Sequence, residues 1–191
     1  MNEILFKKAQ NGDIEAFETL IKSYEKLIYN AAYRILGNAE DAEDASQEVI
    51  LKAYKSLSAC KAPEAFKSWL FRIINNTCID ELRKRKGKTT VSLDIGFGSE
   101  ESDSRTENPV LRDETTPESE FIRNDLNKNI QNAINSLPPD YKTIIVMRDI
   151  SGLSYEDIAS ALLINVGTVK SRIARGRKKL REELINIGIF S

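Results

Sequence analysis

Between Lys170 and Arg181 the chain gathers seven Lys or Arg side chains, and the stretch opens on Gly167 and Thr168. A small residue and a hydroxyl at the start of a helix let backbone amides approach phosphate. Lys170, Ser171, Arg172 and Arg175 follow within the first turns, with Arg177 just beyond; Ser171 and Arg175 share one face. Such side chains reach base edges and phosphates in a major groove. Val169 and Ile173 are four apart and turn inward toward Ile158, Ala159 and Leu162. Upstream, Ser154 caps a helix running on from Tyr155, with Asp157 at the third position as a near capping box. Two short helices, the second basic, form a helix-turn-helix reader of duplex DNA. Leu163 falls in the tight turn between them, where a non-glycine residue at positive φ costs about 1 kcal/mol. That is a tolerated strain.

A second constellation lies in the first half. Asp41, Asp44, Gln47 and Glu48 share the polar face of a helix, and Arg83, Lys84, Arg85 and Lys86 make a basic helix end. Taken alone, the first is a solvated face and the second is a set of cations suited to a helix C-terminus. Asn75 and Asn76 serve either as helix-break residues or, through paired donor and acceptor groups, as readers of a base edge. Trp69 with Phe66 and Phe71 can stack on bases, but helical spacing favours a core role.

The bulk numbers restrict the rest. Lys plus Arg total 28 and Asp plus Glu 29 in 191 residues, a net charge of −1. Near neutrality hides local asymmetry, because bases cluster at 82–88 and 170–181 and acids at 40–48 and 99–120. There is no histidine, and Cys60 and Cys78 are too far apart for a CxxC motif. A metal site is not expected, and the two thiols are expected to be reduced and helix-embedded. No nucleophile is paired with a base and no glycine loop suits a phosphate, so neither catalysis nor a cofactor nor a small-molecule substrate is expected. Met1–Phe6 lacks a signal-peptide pattern, and no apolar run reaches membrane-spanning length. No membrane insertion is expected, and the location is expected to be cytoplasmic.

The elements that must hold these groups are all helical. Asp13 caps a helix carrying Phe17, Leu20, Ile21, Tyr24, Ile28, Ala31 and Ile35, which Gly37–Asn38 closes. A second helix spans Ala39–Leu57. A third opens at Pro63, breaks at Asn75–Thr77, and resumes from Cys78 to Lys86. From Gly87 to Pro117 polar and acidic residues dominate, a composition that cannot bury enough apolar surface to offset chain entropy. Helical periodicity returns from Phe121 to Leu137, stops at Pro138–Pro139, and restarts through Tyr141, Ile144, Ile145 and Met147. The expected fold is all-α: a helical bundle at 1–87, a flexible acidic linker at 88–117, and a helix-turn-helix domain at 118–187.

Together these pieces resemble the sigma-70 family of bacterial RNA polymerase initiation factors, in its extracytoplasmic-function (ECF) group. The N-terminal match runs through Asp41–Val49, Phe66–Ile73 and Asn76–Lys84. The C-terminal match runs through Leu137–Asp149, Gly152–Ala159 and Gly167–Arg172. The resemblance implies that Asp41, Asp44, Gln47 and Glu48 dock on core RNA polymerase. It places Asn76 and Asp80 at a pocket for a base flipped from the promoter −10 element, with Arg83, Lys84, Arg85 and Lys86 on the backbone. It assigns Thr168, Lys170, Ser171 and Arg175 to the −35 element, with Arg172 and Arg177 on phosphate. It also implies promoter DNA and an anti-sigma factor as partners. A stand-alone helix-turn-helix regulator is the alternative, disfavoured because the N-terminal half carries the polymerase-docking pattern.

Overall fold

The computed structural model describes residues 3–91 and 117–189, with side-chain surroundings given for 3–85 and 125–189. Every regular element among them is helical. The first is α1 (Glu3–Gln10), which the sequence reading did not anticipate; it buries only Phe6 and Ala9. The single helix expected from Asp13 to Gly37 is two, α2 (Ile14–Lys22) and α3 (Glu25–Leu36), separated by a turn at Ser23–Tyr24. Asp13 does cap α2, accepting from the Ala16 amide at 3.0 Å, and Gly37 closes α3 at φ +87. Only glycine takes that conformation cheaply. Asn38 then starts α4 (Ala39–Ser56) by accepting from the Asp41 amide at 2.9 Å.

A connector follows, with 3₁₀ turns at Leu57–Ala59 and Pro63–Ala65. Cys60 lies in this connector, outside any helix, while Cys78 is helical; both are buried free thiols. Burial pushes the Cys78 thiol up to about 12, so it is inert at neutral pH.

The third helix, α5 (Phe66–Val91), is continuous, and the break expected at Asn75–Thr77 does not occur. Phe71, Ile74, Asn75, Thr77 and Cys78 are buried there, and their burial outweighs the modest helix propensity of two asparagines. Helix also continues past residue 87 to Val91. The rest of the expected linker, 92–116, lies outside the described residues.

The second half comprises α6 (Pro117–Ser136), α7 (Pro139–Ile145), α8 (Tyr155–Leu162) and α9 (Val166–Asn186). The end of α7 runs into a π-helical turn at Val146–Ile150. It closes through Ser151 N–H to the Val146 carbonyl at 2.9 Å, and beyond it Leu153 N–H reaches back to the Met147 carbonyl at 3.0 Å. The two halves share one buried apolar cluster, and polar contacts join them as well. Arg34 Nη1 donates to Gln131 Oε1 at 2.9 Å, Gln131 Nε2 returns a bond to the Arg34 carbonyl at 3.3 Å, and Lys67 Nζ donates to the Ser151 carbonyl at 2.9 Å.

Candidate nucleic-acid interface

The helix-turn-helix forms as its local chemistry dictates. Ser154 starts α8 as its N-cap, accepting from the Asp157 amide at 3.0 Å and donating its hydroxyl to the Asp157 carboxylate at 2.7 Å. Leu163 ends α8 in the left-handed conformation, φ +55, with its side chain 69% exposed. The strained residue thus contributes nothing to the core, and it is kept by the turn it makes. Asn165 caps α9, its Oδ1 accepting from the Thr168 amide at 2.7 Å and from the Thr168 hydroxyl at 3.0 Å. Val169 and Ile173 are buried beside Ile158 and Ala159, which leaves Lys170, Ser171, Arg175 and Arg177 on the exposed side.

Two arginines expected on phosphate have protein partners. Arg177 forms a fork on Asp149, Nη2 to Oδ1 at 2.5 Å and Nε to Oδ2 at 3.1 Å, and this bond raises its already high pKa. Arg172 lies 3.4 Å from Asp140. Next to Asp149, Arg148 donates to the Leu153 carbonyl at 2.6 Å and sits 4.6 Å over the Tyr155 ring. The π-helical turn therefore presents consecutive residues to the two helices of the reader: Arg148 to the entry of α8, Asp149 to α9.

The first-half residues fall on the facing helices α4 and α5. Of the acidic quartet, Asp44 and Gln47 are exposed while Asp41 and Glu48 are half-buried. Asp41 takes the guanidinium of Arg85, and Glu48 takes Lys52 at 2.8 Å. The Lys52 hydrogen bond holds the Glu48 carboxyl below the usual carboxylate range. Residues assigned to separate partners are thus in contact across α4 and α5. Asp80 and Arg83, both exposed, are 3.7 Å apart, and half-buried Glu81 lies 3.2 Å from Lys84, each pair one turn apart. Backbone places Lys86 on α5; its side chain lies outside the described surroundings.

The two asparagines separate cleanly. Asn75 is buried, and its Oδ1 has no hydrogen-bond partner among the described residues. Asn76 is exposed and lines an open cleft with Lys52, Lys55, Ser56 and Ile73. Sequence reasoning missed four of these five. Two had a signal of another kind, Ile73 as one apolar position in a helical run and Lys52 on the polar helix face with Asp41, Asp44, Gln47 and Glu48. Lys52, Lys55 and Ser56 reach Asn76 through the packing of α4 on α5, which no local spacing reveals. Lys52 Nζ also holds the Thr77 hydroxyl at 3.1 Å, fixing it beside Asn76. Trp69 is half-buried and packs on Phe66, ring centroids 5.6 Å apart, as its core assignment required. Among the described residues no group of three or more His, Cys, Asp or Glu is placed to hold a metal. No helix there is long and apolar enough to cross a membrane.

Known proteins agree with this arrangement. The family model for sigma-70 region 2 matches residues 20–88, and that for sigma-70 region 4 matches residues 127–180. The ECF RNA polymerase sigma factor SigW of Bacillus subtilis is 36% identical over 93% of this chain and 94% of its own. The RNA polymerase sigma-H factor of Pseudomonas aeruginosa is 34% identical over 94% and 92%. In fold, the chain resembles the sigma factor RpoE of Bartonella quintana, solved with the anti-sigma factor NepR, at a TM-score of 0.69, 24% identity and coverage of 90% and 98%. CnrH, solved with the cytosolic domain of CnrY, gives a TM-score of 0.68 at 23% identity and 97% coverage of both chains. Two region matches in order, with relatives aligned over almost their whole length, place this chain in the sigma-70 family as an ECF-type RNA polymerase sigma factor.

Proposed function

We propose that this sigma factor works through three surfaces on its two helical halves. The exposed residues Asp44 and Gln47, with Asp41 and Glu48 beside them, dock α4 on core RNA polymerase. The cleft of Asn76, Ile73, Ser56, Lys52 and Lys55 receives a base of the opened −10 strand, with Asp80 at its border and Arg83, Lys84, Arg85 and Lys86 along the backbone. The exposed face of α9, carrying Lys170, Ser171 and Arg175 behind Thr168, reads the −35 duplex. Action on polymerase and promoter DNA places the protein in the cytoplasm, and the chemistry of RNA synthesis belongs to polymerase. An anti-sigma factor is a further proposed partner, on family membership alone.

One observation carries this reading: the cleft joins an amide that can pair with a base edge and an apolar wall, both on α5, to two cations on α4, the helix that also carries the polymerase-docking face. Extruding a base costs a few kcal/mol of stacking, so cations near the strand and contacts to polymerase must offset it. The reading also requires the halves to part. Promoter elements more than a helical turn apart, about 35 Å, call for two separated modules, so the apolar and polar contacts that join the halves here must open on the promoter.

Run-off transcription with purified core polymerase tests the reading. Wild-type protein is expected to direct defined start sites. Asn76→Ala is expected to lose discrimination at one −10 position, and Lys170→Ala and Arg175→Ala to lose it in the −35 element. A chain that leaves core polymerase unbound in a pull-down rejects the proposal.

A further inference from the structure

We propose that Gln10, the last residue of α1, is a positioning residue for the −10 cleft. The inference rests on the reading of that cleft given above. Helix α1 precedes the residues matched by the region 2 family model, which begins at residue 20, so the match assigns α1 no role.

The geometry is specific. Gln10 Nε2 donates to the Cys60 carbonyl at 2.6 Å and reaches the Leu57 carbonyl at 3.4 Å. Both carbonyls belong to the turn that leaves α4 directly after Ser56, a cleft residue. The turn closes on itself through Cys60 N–H to the Leu57 carbonyl at 3.0 Å, and Leu57 and Cys60 are buried. One amide group thus braces both ends of a single 3₁₀ turn whose flanking residues Leu57 and Cys60 are buried while Ser58 and Ala59 are exposed. At the far end of the connector, Phe6 of α1 meets Phe66 edge-on, ring centroids 6.0 Å apart. Tyr24 meets the same ring at 5.0 Å. Phe66 begins α5, which supplies Ile73 and Asn76. Helix α1 therefore holds the connector at both ends, by hydrogen bonds where it leaves α4 and by aromatic contact where it enters α5. That connector links the two cleft walls along the chain, beside the direct packing of α4 on α5.

A short polar brace at this position sets geometry with little bulk stabilisation. A glutamine amide donates where a carboxylate only accepts. Gln10→Glu keeps the shape and places an oxygen against two carbonyls; Gln10→Ala removes the group. Both variants, with the wild type and Asn76→Ala, are to be assayed with core polymerase well below their melting temperatures. The templates are four promoters that differ only in the −10 base received by the cleft. The expected result is that both Gln10 variants bind core polymerase and −35 duplex as the wild type does, while the ratio of transcripts from the best to the poorest template falls about five-fold. An unchanged ratio overturns the proposal, as does an equal loss on all four templates, which is the signature of a merely structural role. If Asn76→Ala also leaves the ratio unchanged, the cleft reading itself fails. If Asn76→Ala lowers it and the Gln10 variants do not, only the role of Gln10 is rejected.

Discussion

Arg85, near the end of the described part of α5, closes its guanidinium on the carboxylate of Asp41 in the first turn of α4. Two long-separated motifs are thereby fastened together, and the same arginine reaches the Leu36 carbonyl at 3.4 Å beside the end of α3. Buried Lys142 lies close enough for the Arg85 charge to disfavour its proton. Asp41 is therefore the anion that makes a pair of neighbouring cations tolerable. Asp41→Asn is expected to lower stability by about 1 kcal/mol, and Arg85→Met by less, because the second change also relieves Lys142. Urea titrations of both single variants and the double variant measure the asymmetry and the coupling. Equal losses would show that Lys142 plays no part.

The fork between Arg177 and Asp149 leads to a second expectation. A phosphate contact contributes about 0.9 to the slope of log affinity against log salt. Arg177 engaged by Asp149 instead fixes the angle of α9 on the turn that ends α7. Arg177→Ala and Asp149→Ala are then expected to weaken −35 duplex binding alike, each lowering stability by about 1 kcal/mol and leaving the salt slope unchanged. Arg175→Ala, whose side chain is exposed, should weaken binding and reduce the slope. If Asp149→Ala strengthened binding while Arg177→Ala reduced the slope, Arg177 would be a phosphate ligand that Asp149 holds back.

What the sequence made legible here is what short-range chemistry decides. The caps at Asp13 and Ser154, the left-handed closures at Gly37 and Leu163, and the inward turn of Val169 and Ile173 all depend on neighbours within four residues. The misreadings share one cause. Asn75–Thr77 carries a local preference for a break, yet α5 runs through it because burial of Phe71, Ile74 and Cys78 outweighs that preference. Lys52, Lys55 and Ser56 meet Asn76 only across a helix pair, and Arg85 meets Asp41 across 44 positions of chain (85 less 41). Helix α1 is short, and its holds on the connector, through Gln10 and Phe6, are made to residues some fifty or sixty positions away, which no local spacing reveals.

Gly176 marks where α9 crosses α7 at closest approach. A Cβ there would stand 3.0 Å from Ile145 Cγ1 and 3.2 Å from Cδ1, with Tyr141 Cβ at 3.5 Å. Ile145 is buried and has little room to yield. Replacing glycine by alanine in a helix gains about 1 kcal/mol of propensity, which the squeeze at Ile145 offsets. Valine adds two methyl groups to the same gap, and overpacking of this kind costs about 1–3 kcal/mol. Gly176→Val is expected to lower the melting temperature clearly and Gly176→Ala to change it little. Thermal unfolding followed by circular dichroism checks both, and a stable valine variant would mean that α9 can slide on α7.

Lys142 connects charge to pH. It is 8% exposed, and its Nζ meets an amide oxygen, Asn135 Oδ1, at 3.5 Å. Burial first, and the Arg85 charge second, lower its pKa from the ordinary 10.5. The unfolded chain therefore holds this proton more tightly than the folded one. Stability should rise as pH climbs from the folded pKa toward the ordinary lysine value, and the penalty is full below that window. Lys142→Met keeps the apolar stem and removes the charge, so it should raise stability at neutral pH by about 1 kcal/mol. The gain over the wild type should shrink toward pH ~10 as the native lysine loses its proton. Melting temperatures of the two proteins across this range decide it. A methionine variant less stable than the wild type at neutral pH would mean that the Asn135 contact outweighs the cost of burying the charge.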